Sequence, residues 1–224
     1  MRESTSMTLQ ERIAGRLADR IVKGELQPGE WLRQDAIAAE FTTSHVPVRE
    51  AFRRLESKGL VQSVPRRGVR VADLDEPSIV EITRMRAALE TLAMRVAMPL
   101  IQDTDIAAAT AAIERANRAV DIEEWERCNR EFHEAISRPC AMPRLLQTID
   151  ELHVARLRYM YATAHETDWD PQSQEEHCQI LDAIRQQDVT KACACIERHI
   201  LDSVEILINA LRDRQRTVKV PVEI

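Results

Sequence analysis

Glycine is scarce in this chain. There are five in 224 residues, the last at Gly68, and none from residue 69 to the end. Aromatic residues are also few, at 4 %. Sheet-and-turn architectures use glycine at hairpins and left-handed positions and enrich aromatics in strands, so a β-sandwich or barrel is excluded beyond residue 68. Apolar runs are short of the ~20 residues a membrane span needs. The opening MRESTSMTLQER lacks the apolar core of a signal peptide, so the expected compartment is the cytosol. Cys128, Cys140, Cys178, Cys193 and Cys195 form no CxxC and are odd in number. That argues against a disulfide framework and a zinc ribbon, and they read as small apolar residues.

What is present is an ordinary globular composition with an uneven charge distribution. Hydrophobic residues make up 44 %, charged residues 30 %, and the formal net charge is −6. Residues 1–74 nevertheless carry 13 Lys+Arg against 10 Asp+Glu. Arg49, Arg53, Arg54, Lys58, Arg66, Arg67 and Arg70 crowd into 42–70, and a basic patch of this kind binds nucleic acid even on an acidic protein. Charge and glycine content change together near ADLDEP, which places a domain boundary at 72–77. The first domain is expected over 8–74 and the second over 77–213.

Thr8 and Glu11 form a capping box ahead of Leu9, Ile13, Leu17 and Ile21, which recur at helical spacing. PGE at 28–30 is a turn, and a short helix is expected near 34–41. Ser44 is the expected cap of a helix over 45–58, with Pro47 tolerated in its first turn and Val48, Phe52 and Leu55 buried. His45, Arg49 and Arg53 lie on the exposed side. LVQSV (60–64), PRRG (65–68) and VRV (69–71) read as a hairpin. Three helices and a hairpin make a winged helix-turn-helix, whose second turn-flanking helix enters the major groove. Ser44, His45, Arg49 and Arg53 on that helix, with Arg66, Arg67 and Gly68 at the wing tip, are the candidate DNA contacts. The competing reading is a protein-interaction winged helix with a solvated basic face.

The order PG, PVREA, RLESKGLV and RRG, spread over about 45 residues from Gly24 to Val71, resembles the DNA-binding domain of GntR-type transcription regulators. The resemblance implies DNA-contacting roles for Arg49 and Gly68. Relatives usually carry Arg where this chain has His45, and some carry Arg where it has Asp35, so the operator sequence is expected to differ.

Residues 77–213 read as about six helices of an antiparallel bundle, near 77–98, 103–119, 121–137, 142–164, 172–187 and 189–213, with prolines at their ends. The whole is therefore expected to be mainly α, with a small β-hairpin wing. The spacing predicts that Ile82, Met85, Leu89, Leu92 and Val96 form the core stripe of the first bundle helix. His133 lies beside the stripe Trp125, Cys128, Phe132 and Ile136, one turn after Asn129. His177 shares a face with Leu181 and Ile184, and His199 with Ile196. Three imidazoles and one oxygen suit a divalent transition metal of the Zn, Ni or Mn type, although three core histidines are the alternative.

NREFHEAI (129–136), EEHCQILDAIRQQD (175–188) and ACIERHI (194–200), with RMRAALETLAMRVA (84–97) upstream, resemble the FCD domain of the FadR subgroup of GntR regulators. That resemblance implies Asn129, His133, His177 and His199 as metal ligands completed by an organic acid. Asn129 departs from the more usual Asp. PCAMP (139–143) stands where relatives have Gly-Asn, and proline is expected to end that helix without a positive φ.

Arg86 is the best effector anchor, because an inward guanidinium needs an anionic partner. That partner is either an effector carboxylate or an inward Glu. Arg156 is a second candidate, and Trp169 a pocket wall. His153 and His165 match no ligand position and are expected to face solvent or the bundle edge. The expected protein is a cytoplasmic homodimer, without membrane association, that binds double-stranded operator DNA under control of a small carboxylate. A metal sensor without an organic effector and a DNA-tethered metalloenzyme are the alternatives.

Overall fold

A computed structural model of the chain describes residues 7–164 and 174–218, with side chains described to 163 and from 174 to 212. Two compact units meet at residues 74 and 75. Among the described residues the first unit contains helices α1 (Leu9–Val22), α2 (Gln34–Glu40) and α3 (His45–Ser57) and strands β1 (Trp31–Leu32), β2 (Val61–Val64) and β3 (Gly68–Val71).

α1 starts at the Thr8/Glu11 capping box, in which each residue's side chain accepts from the other's backbone N–H. Its face of Ile13, Leu17 and Ile21 packs on Val48, Phe52 and Leu55 of α3, with Val61 and Val71 of the sheet closing the core. The sheet has three antiparallel strands in the order β1-β3-β2, not the two of a lone hairpin. β1 is only two residues long and carries no alternation. The turn at 28–30 delivers it to the edge of β3, where the Gly29 N–H donates to the Val71 carbonyl at 3.0 Å. Gly68, at the wing tip, has φ +107° and open space where a Cβ would stand, so conformation and not crowding requires glycine there.

The second unit has six helices among its described residues: α4 (Glu76–Ala97), α5 (Asp103–Ala116), α6 (Ile122–Ser137), α7 (Pro143–Ala164), α8 (Glu175–Arg185) and α9 (Val189–Val218). α4 lies along α9 and α7, and α5 along α6. The core is built from Met94 of α4, Ile113 of α5, Phe132 and Ile136 of α6, Ile180 and Ile184 of α8, and Ile196 and Ile200 of α9.

Two expectations need correction. The apolar stripe expected inward on α4 is turned partly outward, and Met85 and Leu92 are each 42 % exposed. The buried face instead carries Ile79, Thr83, Arg86, Glu90, Ala93 and Ala97. A reading by hydrophobic spacing alone chose the wrong face, because an internally paired Arg and Glu occupy the right one. The PCAMP segment does use a positive φ, since Ala141 sits at φ 52° and its N–H bonds to the Arg138 carbonyl. An alanine there gives up about 1–2 kcal/mol relative to a right-handed conformation.

Candidate functional site

In the first unit, the N-terminal turn of α3 and the wing tip present the candidate DNA contacts. Ser44 is the N-cap by position, but its side chain makes no cap hydrogen bond. His45 is exposed, and its Nε2 lies 2.9 Å from Oδ1 of Asp35 at the start of α2, so the two positions where relatives differ touch one another. Arg53 is exposed but paired with Glu50 at 2.9 Å. Arg49, Arg66 and Arg67 are exposed and make no ion pair among the described residues. These unpaired guanidiniums lie at the beginning of the recognition helix and on the wing, with no internal ion pair for a nucleic acid to break. Arg49→Ala is expected to weaken specific DNA binding by about 1–3 kcal/mol. A gel-shift titration on a selected operator and on scrambled DNA of the same length reads this as a loss confined to the operator.

In the second unit, α6, α8 and α9 bring three histidines to one point. A ring nitrogen from each of His133, His177 and His199 lies within 4.8 Å of the others. The arrangement follows from helical spacing. Glu126, Asn129 and His133 recur at three and four residues on one face of α6, and His177 and His199 sit where α8 and α9 pack together.

Each imidazole is held from its far side. His177 Nδ1 donates to Gln174 Oε1 at 2.7 Å, His199 Nδ1 donates to Glu176 Oε2 at 2.7 Å, and His133 Nδ1 lies 2.6 Å from Glu90 Oε2. Burial, then the neighbouring imidazoles, keeps His177 well below the usual histidine range. Burial, followed by His133 and the two buried arginines, pulls His199 down to about 3.

These rings are therefore neutral near pH 7, with bare Nε2 atoms facing each other at 3.1 Å. Two facing lone pairs repel unless a cation lies between them. At that separation both nitrogens would be able to ligate one ion. His133 Nε2 is buried with no hydrogen-bond partner among the described residues. The donor set fits a divalent metal on these observations, and the carboxylates and amide behind the rings supply the outer support such ligands need.

Asn129 is buried beside them. Its amide nitrogen donates to Glu126 Oε2 at 3.2 Å, so the oxygen is its remaining polar atom. Asn129, the three histidines, Arg86, Arg156 and Trp125 line one cavity of about 560 Å³. Glu175, Glu176 and Asp202 lie on the same lining.

Both candidate anchors are buried and have internal partners. Arg86 contacts Glu90 on the next turn, Nε at 3.0 Å and Nη2 at 2.8 Å. The inward Glu considered as an alternative to an effector is thus present. Arg156 pairs with Glu126 at 3.3 Å, and its Nε is buried without a partner among the described residues. Burial pulls this guanidinium below its ordinary range, and Glu126 pulls it back up. Trp169 and His165 lie outside the described residues.

His153 is not at the bundle edge, as its sequence context implied. It is buried, with Nε2 at 3.3 Å from both Glu90 and Arg86. Glu90, His133 and His153 are also spaced like metal ligands. The Arg86 guanidinium occupies that cluster, however, and a cation already in place opposes a second one. Glu90, Glu126, Gln174 and Glu176 all escaped sequence reasoning. Their only signal is helical spacing from residues already singled out: four from Arg86, three from Asn129, and the turn around His177.

A winged helix-turn-helix with three guanidiniums unpaired among the described residues, followed by an all-helical unit with a polar cavity, defines a DNA-binding protein with an attached helical domain. Residues 9–71 match the family described as bacterial regulatory proteins, gntR family, and residues 81–202 match the FCD domain. The chain belongs to the gntR family, in its FCD-containing branch, and is a DNA-binding transcription regulator rather than an enzyme.

Among its relatives, the HTH-type transcriptional repressor GlaR of Escherichia coli K12 is 26 % identical over 208 residues, covering 87 % of this chain and 94 % of GlaR. The solved structure of E. coli McbR/YncC is 25 % identical, with a TM-score of 0.75 over 91 % of this chain and 99 % of that one. A GntR family member from Pseudomonas syringae pv. tomato DC3000 is 28 % identical, with a TM-score of 0.61 over 93 % and 88 % of the two chains. No helix among the described residues is long and apolar enough to cross a membrane.

Proposed function

We propose that this chain is a homodimeric repressor whose helical domain holds a divalent transition metal on Asn129, His133, His177 and His199, and whose operator affinity responds to a small carboxylate bound beside that metal. The observation that carries the reading is the inward convergence of bare imidazole nitrogens, each ring held from its far side. When bound, the metal supplies a Lewis-acidic centre that attracts an anionic oxygen donor. The chain's own residues set the charge around it. Arg86 and Arg156 are offset by Glu90 and Glu126, so the formal charges of these four already cancel. A dication added to such a cluster leaves buried positive charge, which an anion relieves. The carboxylate would then find Arg86 and Arg156 on the same cavity wall.

Repression follows the relatives named as repressors, such as GlaR. The homodimer is supported by Met85 and Leu92, an apolar pair exposed seven residues apart on α4. A dimer reads two half-sites, and a ligand changes its affinity for DNA only through unequal affinity for the two placements of the reading heads.

Operator affinity of the metal-loaded protein, measured across a panel of mono-, di- and tricarboxylates, tests the effector. At least one acid is expected to change the Kd by 5-fold or more, the usual scale of such coupling. The acidic residues on the cavity lining, Glu175, Glu176 and Asp202, favour a second reading in which the cation alone is the signal. A response to free metal that no acid alters would select that reading.

A further inference from the structure

We infer that Glu90 is the positioning residue that turns His133 into a ligand, because one carboxylate holds both the His133 ring and the Arg86 guanidinium. The inference rests on the three-histidine metal site proposed above and assigns a role to a residue outside it.

Glu90 lies on α4 and is buried, 3 % exposed. It is ion-paired to the Arg86 guanidinium one turn earlier on the same helix. It is therefore a carboxylate, which only accepts hydrogen bonds. Oε1 accepts from Arg86 Nε at 3.0 Å and Nη2 at 2.8 Å. Oε2 stands 2.6 Å from His133 Nδ1, so that nitrogen carries the proton. In the neutral ring the lone pair then lies on Nε2, the buried atom that has no partner among the described residues. The opposite tautomer would set a lone pair against the carboxylate and direct an N–H at the other two imidazoles.

The same carboxylate fixes where the cavity's cation stands. Arg86 lies on the cavity wall with the three histidines. A metal on His133 Nε2 would make the Nδ1–H more acidic and draw Glu90 toward the ring, loosening its hold on Arg86. An anion that takes up Arg86 would release Glu90 toward His133. The two events favour one another, and the coupling is reciprocal.

Glu90→Gln separates this role from a packing role. A glutamine has one acceptor oxygen where two are in use. The cationic Arg86 claims the oxygen, which turns the amide NH2 toward His133 Nδ1. That nitrogen must then accept, and the proton moves to Nε2. The experiment is 15N chemical-shift measurement of the His133 imidazole in the metal-free full-length protein, together with calorimetric titration using Zn²⁺ alone as the probe. The expected result is Nδ1–H in wild type, Nε2–H in Glu90→Gln, and a 10–100-fold weaker Zn²⁺ Kd in the variant.

Nε2–H in the wild type would overturn the inference, and this arm needs no variant to fold. Wild-type tautomer and wild-type Zn²⁺ affinity in a folded Glu90→Gln would overturn it as well. Absence of Zn²⁺ binding to the wild type would instead defeat the metal reading, and the tautomer measurement would still decide whether Glu90 sets the ring.

Discussion

Replacing Arg156 with alanine is expected to destabilise the helical domain by about 3–5 kcal/mol, because it leaves a buried carboxylate without its cation. Arg156 and Glu126 are both almost fully buried, on α7 and α6, and their side chains meet at 3.3 Å. Removing one partner does not simply delete an attraction. It strands Glu126 in a site from which water is largely excluded. The Asn129 amide still donates to Glu126 at 3.2 Å, which favours the lower end of the range. Denaturant unfolding of the metal-free protein reads the effect as a lower midpoint at unchanged slope. Pairing Arg156→Met with Glu126→Gln should recover much of the loss, since an isosteric replacement of a buried pair is often close to neutral. A loss below about 1 kcal/mol for the single variant, in the range of an exposed pair, would show that this contact is open to water.

Acid should unfold the metal-free protein early, through histidines rather than carboxylates. Burial, then Arg86, takes His153 down to about 3, and His199 lies at about 3 for the reasons given above. In the unfolded chain both titrate near 6.5. Between these values the unfolded state binds protons that the folded state refuses, so stability is complete above pH 6.5 and falls as the pH drops toward 3. At pH 5 each imidazole has cost about 2 kcal/mol, and the two together about 4 kcal/mol. His177 moves in the same direction and adds to the loss. Thermal melts from pH 7.5 to 5 in the presence of a chelator measure this. His153→Gln should flatten the curve, since an amide cannot charge. A flat stability profile over that range would mean that these rings are hydrated.

What could be read from the sequence divides along a physical line. Helices whose apolar stripe is itself buried were legible. α6 buries Trp125, Cys128, Phe132 and Ile136 as their spacing predicts. α1 buries Ile13, Leu17 and Ile21, and its capping box forms as expected. The three histidines could be singled out because each is a polar intruder beside an apolar stripe. Their supports could not. Glu90 and Glu126 look like ordinary surface residues in a chain that is 30 % charged. Only the pairing with Arg86 and Arg156, across one helical turn in one case and between α6 and α7 in the other, makes them inward-facing. The same pairing explains the error on α4, where the most apolar face is not the buried one. β1 was illegible for a different reason. Two residues carry no period, and their strand geometry is imposed by β3. The contact between His45 and Asp35 joins the N-termini of two helices that no local pattern relates.

The proposed metal site requires three imidazoles converging with their Nε2 atoms bare. Elemental analysis of the purified protein, after loading with Zn²⁺ and exhaustive dialysis, tests this most directly, with His133→Ala and His177→Ala carried in parallel and circular dichroism confirming that each is folded. The expected result is close to one equivalent of metal per wild-type chain and a small fraction of that in either variant. Equal metal content in all three proteins, or none in the wild type, would contradict it.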